Sequence, residues 1–373
     1  MNNDICRLLG IEFPLFAFSH CRDVVAAVSR AGGFGVFGGV RCTAEELEQE
    51  LAWIDRNVDG MPYGADLVFP EKTNAKRGAT QEELMELVPQ AHKDFIAGIL
   101  RDHDLEFSRD DQLLRAPTIS ATVGEELLEV AFRHPIKLIA NALGLAPKPM
   151  IDMAKAHGVP VAALVGAPKH ALRQVEAGVD IIVAQGTEAG GHCGEVSTLV
   201  LVPEVLRALK QVGRDVPVLA AGGIVNGRQM AGMMAVGAQG AWTGSVWLAT
   251  SDSEVSDAFR DKMLKASSRD TVRSTARTGK MCRQLRSTWH DAWSAPGAPE
   301  PLGMPLQGVI AIPALNKAEQ AADKGNAKAH DMVSYYVGQG VGLIDAIRTT
   351  SAVVQDFKED FADALEAMNS LLE

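Results

Sequence analysis

The chain has 373 residues, 47% of them apolar, and a net charge of −11 from 36 basic and 47 acidic side chains. That suffices for one large α/β barrel or two medium domains, and the acidic balance argues against coating nucleic acid or an anionic membrane. No apolar run approaches the roughly 20 residues of a membrane span, and Met1-Asn2-Asn3-Asp4 lacks the basic and apolar regions of a signal peptide; a cytoplasmic protein is expected. Cys6, Cys21, Cys42, Cys193 and Cys282 are widely spaced with no Cys-x-x-Cys pair, so reduced thiols and no metal site are expected.

In chain order, a strand is expected at 11–18 and a helix at 22–31, from the spacing of Val24, Val25, Val28 and Ala31 closed by Gly32-Gly33. A strand at 34–37, a helix at 43–54 capped by Thr43 and a third strand at 63–69 follow. Gly33-Phe34-Gly35-Val36-Phe37-Gly38 has the spacing of a dinucleotide loop but follows a helix and enters a strand. That order is the reverse of what such a site needs, so these glycines are read as close packing. From 70 to 120 the rhythm breaks into a charged stretch holding Lys72, Lys76, Arg77, Arg101, Asp102, Asp104, Arg109, Asp110 and Asp111, with a helix at 81–100. It reads as a solvated insertion, placed where a lid over an active site also occurs.

Helices at 123–132, 148–156 and 168–177 then alternate with strands at 136–141, 160–165 and 180–184. Beyond the next loop come helices at 203–211 and 227–236 and strands at 216–221 and 241–248. Eight apolar strands separated by helices predict an α/β chain forming a (β/α)8 TIM barrel over 1–248, with the helical insertion at about 70–120. Residues 249–338 leave the alternation and are expected to form a smaller, mainly helical inserted subdomain covering the substrate. The segment 339–373 carries helical spacing (Leu343, Ile347, Val353, Phe357, Phe361, Leu365, Met368) and is expected to pack back on the barrel.

Active sites of such barrels lie at the C-terminal strand ends, and the chemistry-bearing residues fall there. Ser19 and His20 follow strand one, Asp66 is late in strand three, Asn141 ends strand four, Gly222-Gly223 follow strand seven and Gly244-Ser245 lie in strand eight. After strand six, a loop holds Gly186, Gly190, Gly191 and Gly194 around Gln185, Glu188 and His192. The glycines after strands seven and eight suit a phosphate held by backbone N–H groups. His192 supplies an imidazole near neutral pKa, fit for general base work. Cys193 beside it is read as structural, because reactivity needs a lowered thiol pKa.

The motifs Ala184-Gln-Gly-Thr-Glu-Ala-Gly-Gly-His192, Ala220-Ala-Gly-Gly-Ile224, Gly240-Ala-Trp-Thr-Gly-Ser245, Gly338-Gln-Gly-Val-Gly-Leu-Ile344 and Ala26-Ala-Val-Ser-Arg-Ala-Gly-Gly-Phe-Gly35 resemble those of the nitronate monooxygenases, formerly 2-nitropropane dioxygenases. The resemblance implies a (β/α)8 barrel with non-covalent FMN, its phosphate held at Gly222, Gly223, Gly244 and Ser245. It implies Ala17, Phe18, Asp66, Gln185, Gly190, Gly191 and Gln339 around the ring, and His192 as catalytic base. His20 stands as a second active-site group or a structural one. The strand-one segment ends Phe16-Ala17-Phe18-Ser19-His20 where Ala-Pro-Met is usual, and Asp66 takes the place of the common Asn. The implied activity is oxidation of alkyl nitronates by dioxygen to a carbonyl compound and nitrite. Gly194-Glu-Val-Ser-Thr-Leu-Val-Leu-Val-Pro203 is similar to flavin-dependent enoyl-thioester reductases, which keeps open an NAD(P)H-dependent reductase or dehydrogenase acting on an enoyl- or acyl-thioester or a quinone. A flavin-binding protein without turnover is the third reading, and homo-oligomerisation is left open.

Overall fold

Strands that are apolar along their whole length need cover on both faces, and here the cover comes from closure. The computed structural model describes residues 1, 3–68, 81–106, 108 and 121–372. Its strands β1 (Leu15–Ser19), β2 (Phe34–Gly38), β3 (Tyr63–Leu67), β4 (Leu138–Asn141), β5 (Val161–Val165), β6 (Ile181–Gln185), β7 (Val218–Ala221) and β8 (Ala241–Thr243) form a closed barrel in chain order. All neighbours are parallel, and β8 returns to β1 with Phe16 opposite Trp242. With helices between the strands, this is the expected (β/α)8 TIM barrel.

Side chains alternate in and out along each strand. Phe16, Phe34, Val36, Leu138, Ile181, Val183, Leu219 and Trp242 point inward as one apolar cluster, with Phe16 stacked on Trp242 at 5.8 Å and tilted against Phe34 at 5.2 Å. Ala17, Ala65, Ile139, Ile182 and Ala220 point outward and join the larger core beneath the helices. The barrel is therefore plugged, and polar groups are confined to its ends.

Several elements differ from expectation for local reasons. Strand eight stops at Thr243, and Ser245–Ala249 turn into a 3-10 helix whose Trp247 donates its indole N–H to the Thr243 hydroxyl at 2.9 Å. The helix expected from Pro203 already begins at Thr198. The helix expected at 81–100 is two, Gln81–Glu86 and Gln90–Asp102, parted around Pro89. Within 249–338 the chain also makes an antiparallel hairpin, β9 (Thr271–Ser274) with β10 (Cys282–Leu285). Lys72, Lys76, Arg77, Arg109, Asp110 and Asp111 lie outside the described residues.

The described part of the insertion is not merely solvated. Met85, Val88, Ile96, Ile99 and Leu100 share a second core with Trp289, Trp293, Val309, Ile310, Ala314 and Met332 from the helices of the later segment. The helix Thr350–Asn369 returns to the barrel through Val353, Val354, Phe357 and Phe361, so closely that a Cβ on Gly227 would lie 2.1 Å from the Phe357 carbonyl oxygen. The rest of that stripe, Leu343, Ile347, Leu365 and Met368, is exposed. Among the described residues no helix is long and apolar enough to cross a membrane.

Leu100 is fully buried in the second core, so Leu100→Ala is expected to lower unfolding stability by about 2–5 kcal/mol in chemical denaturation. A loss below about 0.5 kcal/mol, the range of surface substitutions, would return the insertion to a solvated role.

Candidate active site

The loop after β6 is held by groups that sequence spacing conceals. The Glu188 carboxylate accepts from the Thr198 amide and hydroxyl, each at 2.9 Å, and so satisfies an N–H that the first turn of the Thr198–Gln211 helix leaves without a partner. The Thr198 hydroxyl also lies 3.1 Å from the carbonyl oxygens of Ala221 and Gly222, which ties the end of β7 to the same point. Gly186 seats directly on Thr198, and a Cβ there would come within 2.3 Å of its amide.

A segment far along the chain completes this face. A Cβ on Gly190 would meet the Val337 carbonyl carbon at 2.9 Å, and one on Gly338 the Glu188 carbonyl oxygen at 2.5 Å. The Gln339 amide donates to that same carbonyl at 2.8 Å, and the Gly338 amide to the Ser245 hydroxyl oxygen at 2.8 Å. Gly190 thus owes its lack of a side chain to packing, whereas Cβ atoms on Gly191 and Gly244 would meet nothing within 4 Å.

The ends of β7 and β8 present unused donors. Gly222 and Gly223 take φ of +116° and +75°, the left-handed region open to glycine, which turns their amides away from the ladder. The backbone N–H groups of Gly222, Gly223, Gly244 and Ser245 donate to no acceptor among the described residues. Ala221 pairs with Trp242, so the four amides sit side by side at one end of the barrel. Such a group of N–H donors suits an anion without requiring a basic side chain. The Gln185 side-chain amide likewise has no partner among the described residues.

His192 is half-buried and oriented by the hairpin. Its Nδ1 lies 3.1 Å from the Met281 carbonyl oxygen, which can only accept, so Nδ1 carries the proton and Nε2 keeps its lone pair. Burial lowers its pKa most; the Met281 carbonyl opposes this and the nearby Lys280 charge adds to it. The imidazole is therefore neutral near pH 7, with Nε2 as a base. Gly191 and Arg283 exchange backbone hydrogen bonds at 3.0 and 2.8 Å, and the Arg283 guanidinium donates to the Thr187 carbonyl at 2.8 Å and to the Thr271 hydroxyl at 2.9 Å. Arg283 had no local signal in the sequence, since Thr187, the loop residue it holds, lies 96 residues earlier. The Cys193 thiol is pushed up by burial and sits 3.6 Å from the Thr187 carbonyl, a packed thiol rather than an activated one.

Across the mouth, the Ala17 side chain points outward to the helices, leaving only its backbone toward the barrel axis. Phe18 and His20 pack edge to face at 5.2 Å, and His20 Nδ1 donates to the Gly38 carbonyl at 2.6 Å. Asp66 is 2% exposed, and neither carboxyl oxygen has a hydrogen-bond partner among the described residues. Asn141 is buried and donates to the Gly144 carbonyl at 3.1 Å. At the opposite end of the barrel, a depression of about 210 Å³ is lined by Phe132, His134, His157 and Val159. There His134 is already engaged by Asp55 at 2.7 Å.

Residues 5–360 match the family model described as nitronate monooxygenase. The chain belongs to the nitronate monooxygenase family. It is 47% identical, over the full length of both chains, to a Mycobacterium tuberculosis protein provisionally assigned as a monooxygenase, Rv1533. A Staphylococcus aureus protein provisionally assigned as a nitronate monooxygenase is 26% identical over 78% of this chain and 80% of its own. A variant of FabK from Thermotoga maritima superposes with a TM-score of 0.71 at 25% identity, covering 100% of this chain and 99% of that one. Nitroalkane oxidase from Streptomyces ansochromogenes shares the fold, with a TM-score of 0.79 at 23% identity and coverage of 98% and 99%. This chain of the nitronate monooxygenase family is thus an enzyme, an oxidoreductase of a flavin-dependent family.

Replacing Thr198 by the isosteric Val leaves the Glu188 carboxylate short of one donor. Thr198→Val is expected to cost about 1–3 kcal/mol in chemical denaturation. An unchanged midpoint would mean the loop is held elsewhere.

Proposed function

We propose that the protein is an FMN-dependent nitronate monooxygenase, oxidising small alkyl nitronates with dioxygen to a carbonyl compound and nitrite. The observation that carries the reading is the set of amides at Gly222, Gly223, Gly244 and Ser245 that, among the described residues, have no acceptor, on the same barrel end as a histidine whose Nε2 has no partner among them. Those amides, with the Ser245 hydroxyl, would hold the cofactor's phosphate. Gln185, Gly190, Gly191 and Gln339, with Phe18, Asp66 and the Ala17 backbone opposite, would surround the ring. Bound there, FMN would accept electrons from substrate and pass them on, which no protein side chain does.

The residues of this chain handle position and protons. His192, neutral and fixed by Met281, would take the proton of a carbon made acidic by a neighbouring nitro group, or hydrogen-bond the nitronate in its protonated form. The unit built on the second core, 81–106 with 249–338, would cover the substrate and keep water out, leaving His20 on the substrate's edge. The sequence resemblance to flavin-dependent enoyl-thioester reductases supports a second reading, in which NAD(P)H is the electron source and an enoyl- or acyl-thioester or a quinone the acceptor.

Heat-denatured protein is expected to release FMN, and anaerobic addition of a nitronate is expected to bleach its visible absorbance; bleaching by NADH or NADPH alone would transfer the assignment to the second reading. His192→Asn should retain FMN and slow nitroalkane oxidation by about 10²–10⁴-fold, the usual span of general base catalysis. Because the imidazole pKa is lowered, kcat/KM for nitroalkanes should hold steady on acidification through about pH 6.5, the ordinary histidine value, and fall only below it. A fall centred at or above that value would assign the base to another group.

A further inference from the structure

Asp66 ends the inward-facing row of β3, in register with Gly38 of β2 and Ala140 of β4. Below it lie the apolar side chains of the barrel plug, Phe34, Val36 and Leu138 among them. Beside it at the mouth, the Phe18 and His20 rings fill the space over Gly38, where a Cβ would come within 2.8 Å of both. Both carboxyl oxygens are buried and have no hydrogen-bond partner among the described residues. An ionised carboxylate so placed would be poorly stabilised by the described residues around it, whereas a protonated one carries an O–H with an unused bond to give. Burial pushes its pKa up to about 8; the Ala142 amide pulls the other way without reaching hydrogen-bonding geometry. The elements around it contribute Gly38, Ala140, Asn141, Phe18 and His20, of which His20 is the titratable one.

We propose that Asp66 is a neutral carboxylic acid whose O–H is reserved for an acceptor atom of the flavin ring, so that the enzyme holds FMN more tightly with Asp66 protonated than ionised. The proposal rests on the FMN reading given above. An amide at this position would donate at every pH. The acid donates only below its pKa, and above it places a negative charge against an electron-rich ring edge. Asp66 therefore sets an alkaline limit on cofactor affinity and lowers the flavin's reduction potential once ionised.

The test compares wild type, Asp66→Asn and Asp66→Leu for FMN affinity, by fluorescence quenching between pH 6 and 9.5. Wild-type Kd is expected to rise by up to tenfold per pH unit above about pH 8, Asp66→Asn to stay flat relative to it, and Asp66→Leu to bind weakly already at pH 6. The FMN-free proteins give a readout independent of the cofactor. Folding retains a proton that the unfolded carboxyl, with a pKa of about 3.9, releases, so stability is lost as pH rises from that value toward about 8. The thermal midpoint of wild type should accordingly fall relative to Asp66→Asn between pH 5 and 8. Superimposable FMN profiles for wild type and Asp66→Asn, or parallel thermal midpoints, would overturn the proposal and leave the FMN reading intact. Failure of every protein to bind FMN at any pH would remove both.

Discussion

The barrel mouth depends on two backbone segments that touch without side chains between them, Ala189-Gly190 after β6 and Val337-Gly338 near the end of the chain. Their contact carries the Gln339 amide to the Glu188 carbonyl and the Gly338 amide to Ser245. Any larger residue at 190 or 338 would push the pieces apart at distances no Cβ tolerates. Because Glu188 also grips Thr198, and Thr198 lies against the end of β7, one contact sets the relation among the loops after β6, β7 and β8. The open amides converge as a consequence of this packing.

A protein with a net charge of −11 gains from meeting an anion with peptide groups. Amides at strand ends attract phosphate at short range, and they do so without a field that would gather every polyanion in solution. Near His192 the local balance is different. The hairpin brings Arg283 and Lys280 beside the loop, and Lys280 helps to keep the imidazole neutral. The two halves of the mouth thus use different electrostatics, fixed dipoles on one side and a tuned titratable ring on the other.

Much of this was legible in the sequence. The barrel shows in the repeated alternation of apolar strands and helices, and Gln185, His192, Gly222, Gly223, Gly244 and Ser245 show as polar or glycine clusters at strand ends. The remainder was hidden for physical reasons. Pro203 reads as a helix start, yet Thr198 precedes it because Glu188, outside the helix, satisfies its amide. The β9–β10 hairpin is two four-residue strands, too short for a periodic signal. Arg283 acquires its role only when that hairpin folds against Thr187. The glycines at 190 and 338 are obvious in the sequence, but their reason is each other, and such a pair is invisible along the chain.

The second core joins helices that lie on opposite sides of most of the barrel in sequence. During synthesis the helix Gln90–Asp102 emerges long before Trp289, Trp293 and Val309 exist to cover Ile96 and Leu100, so its sticky face waits while β4 to β8 are made. Pairings this distant close slowly and late, and a chain in that state is vulnerable to association with its neighbours. The residues that cover this face, and Phe357 and Phe361 that complete the core around the barrel, all come from the last third of the chain, so a chain halted after β8 would hold two interiors with neither one closed.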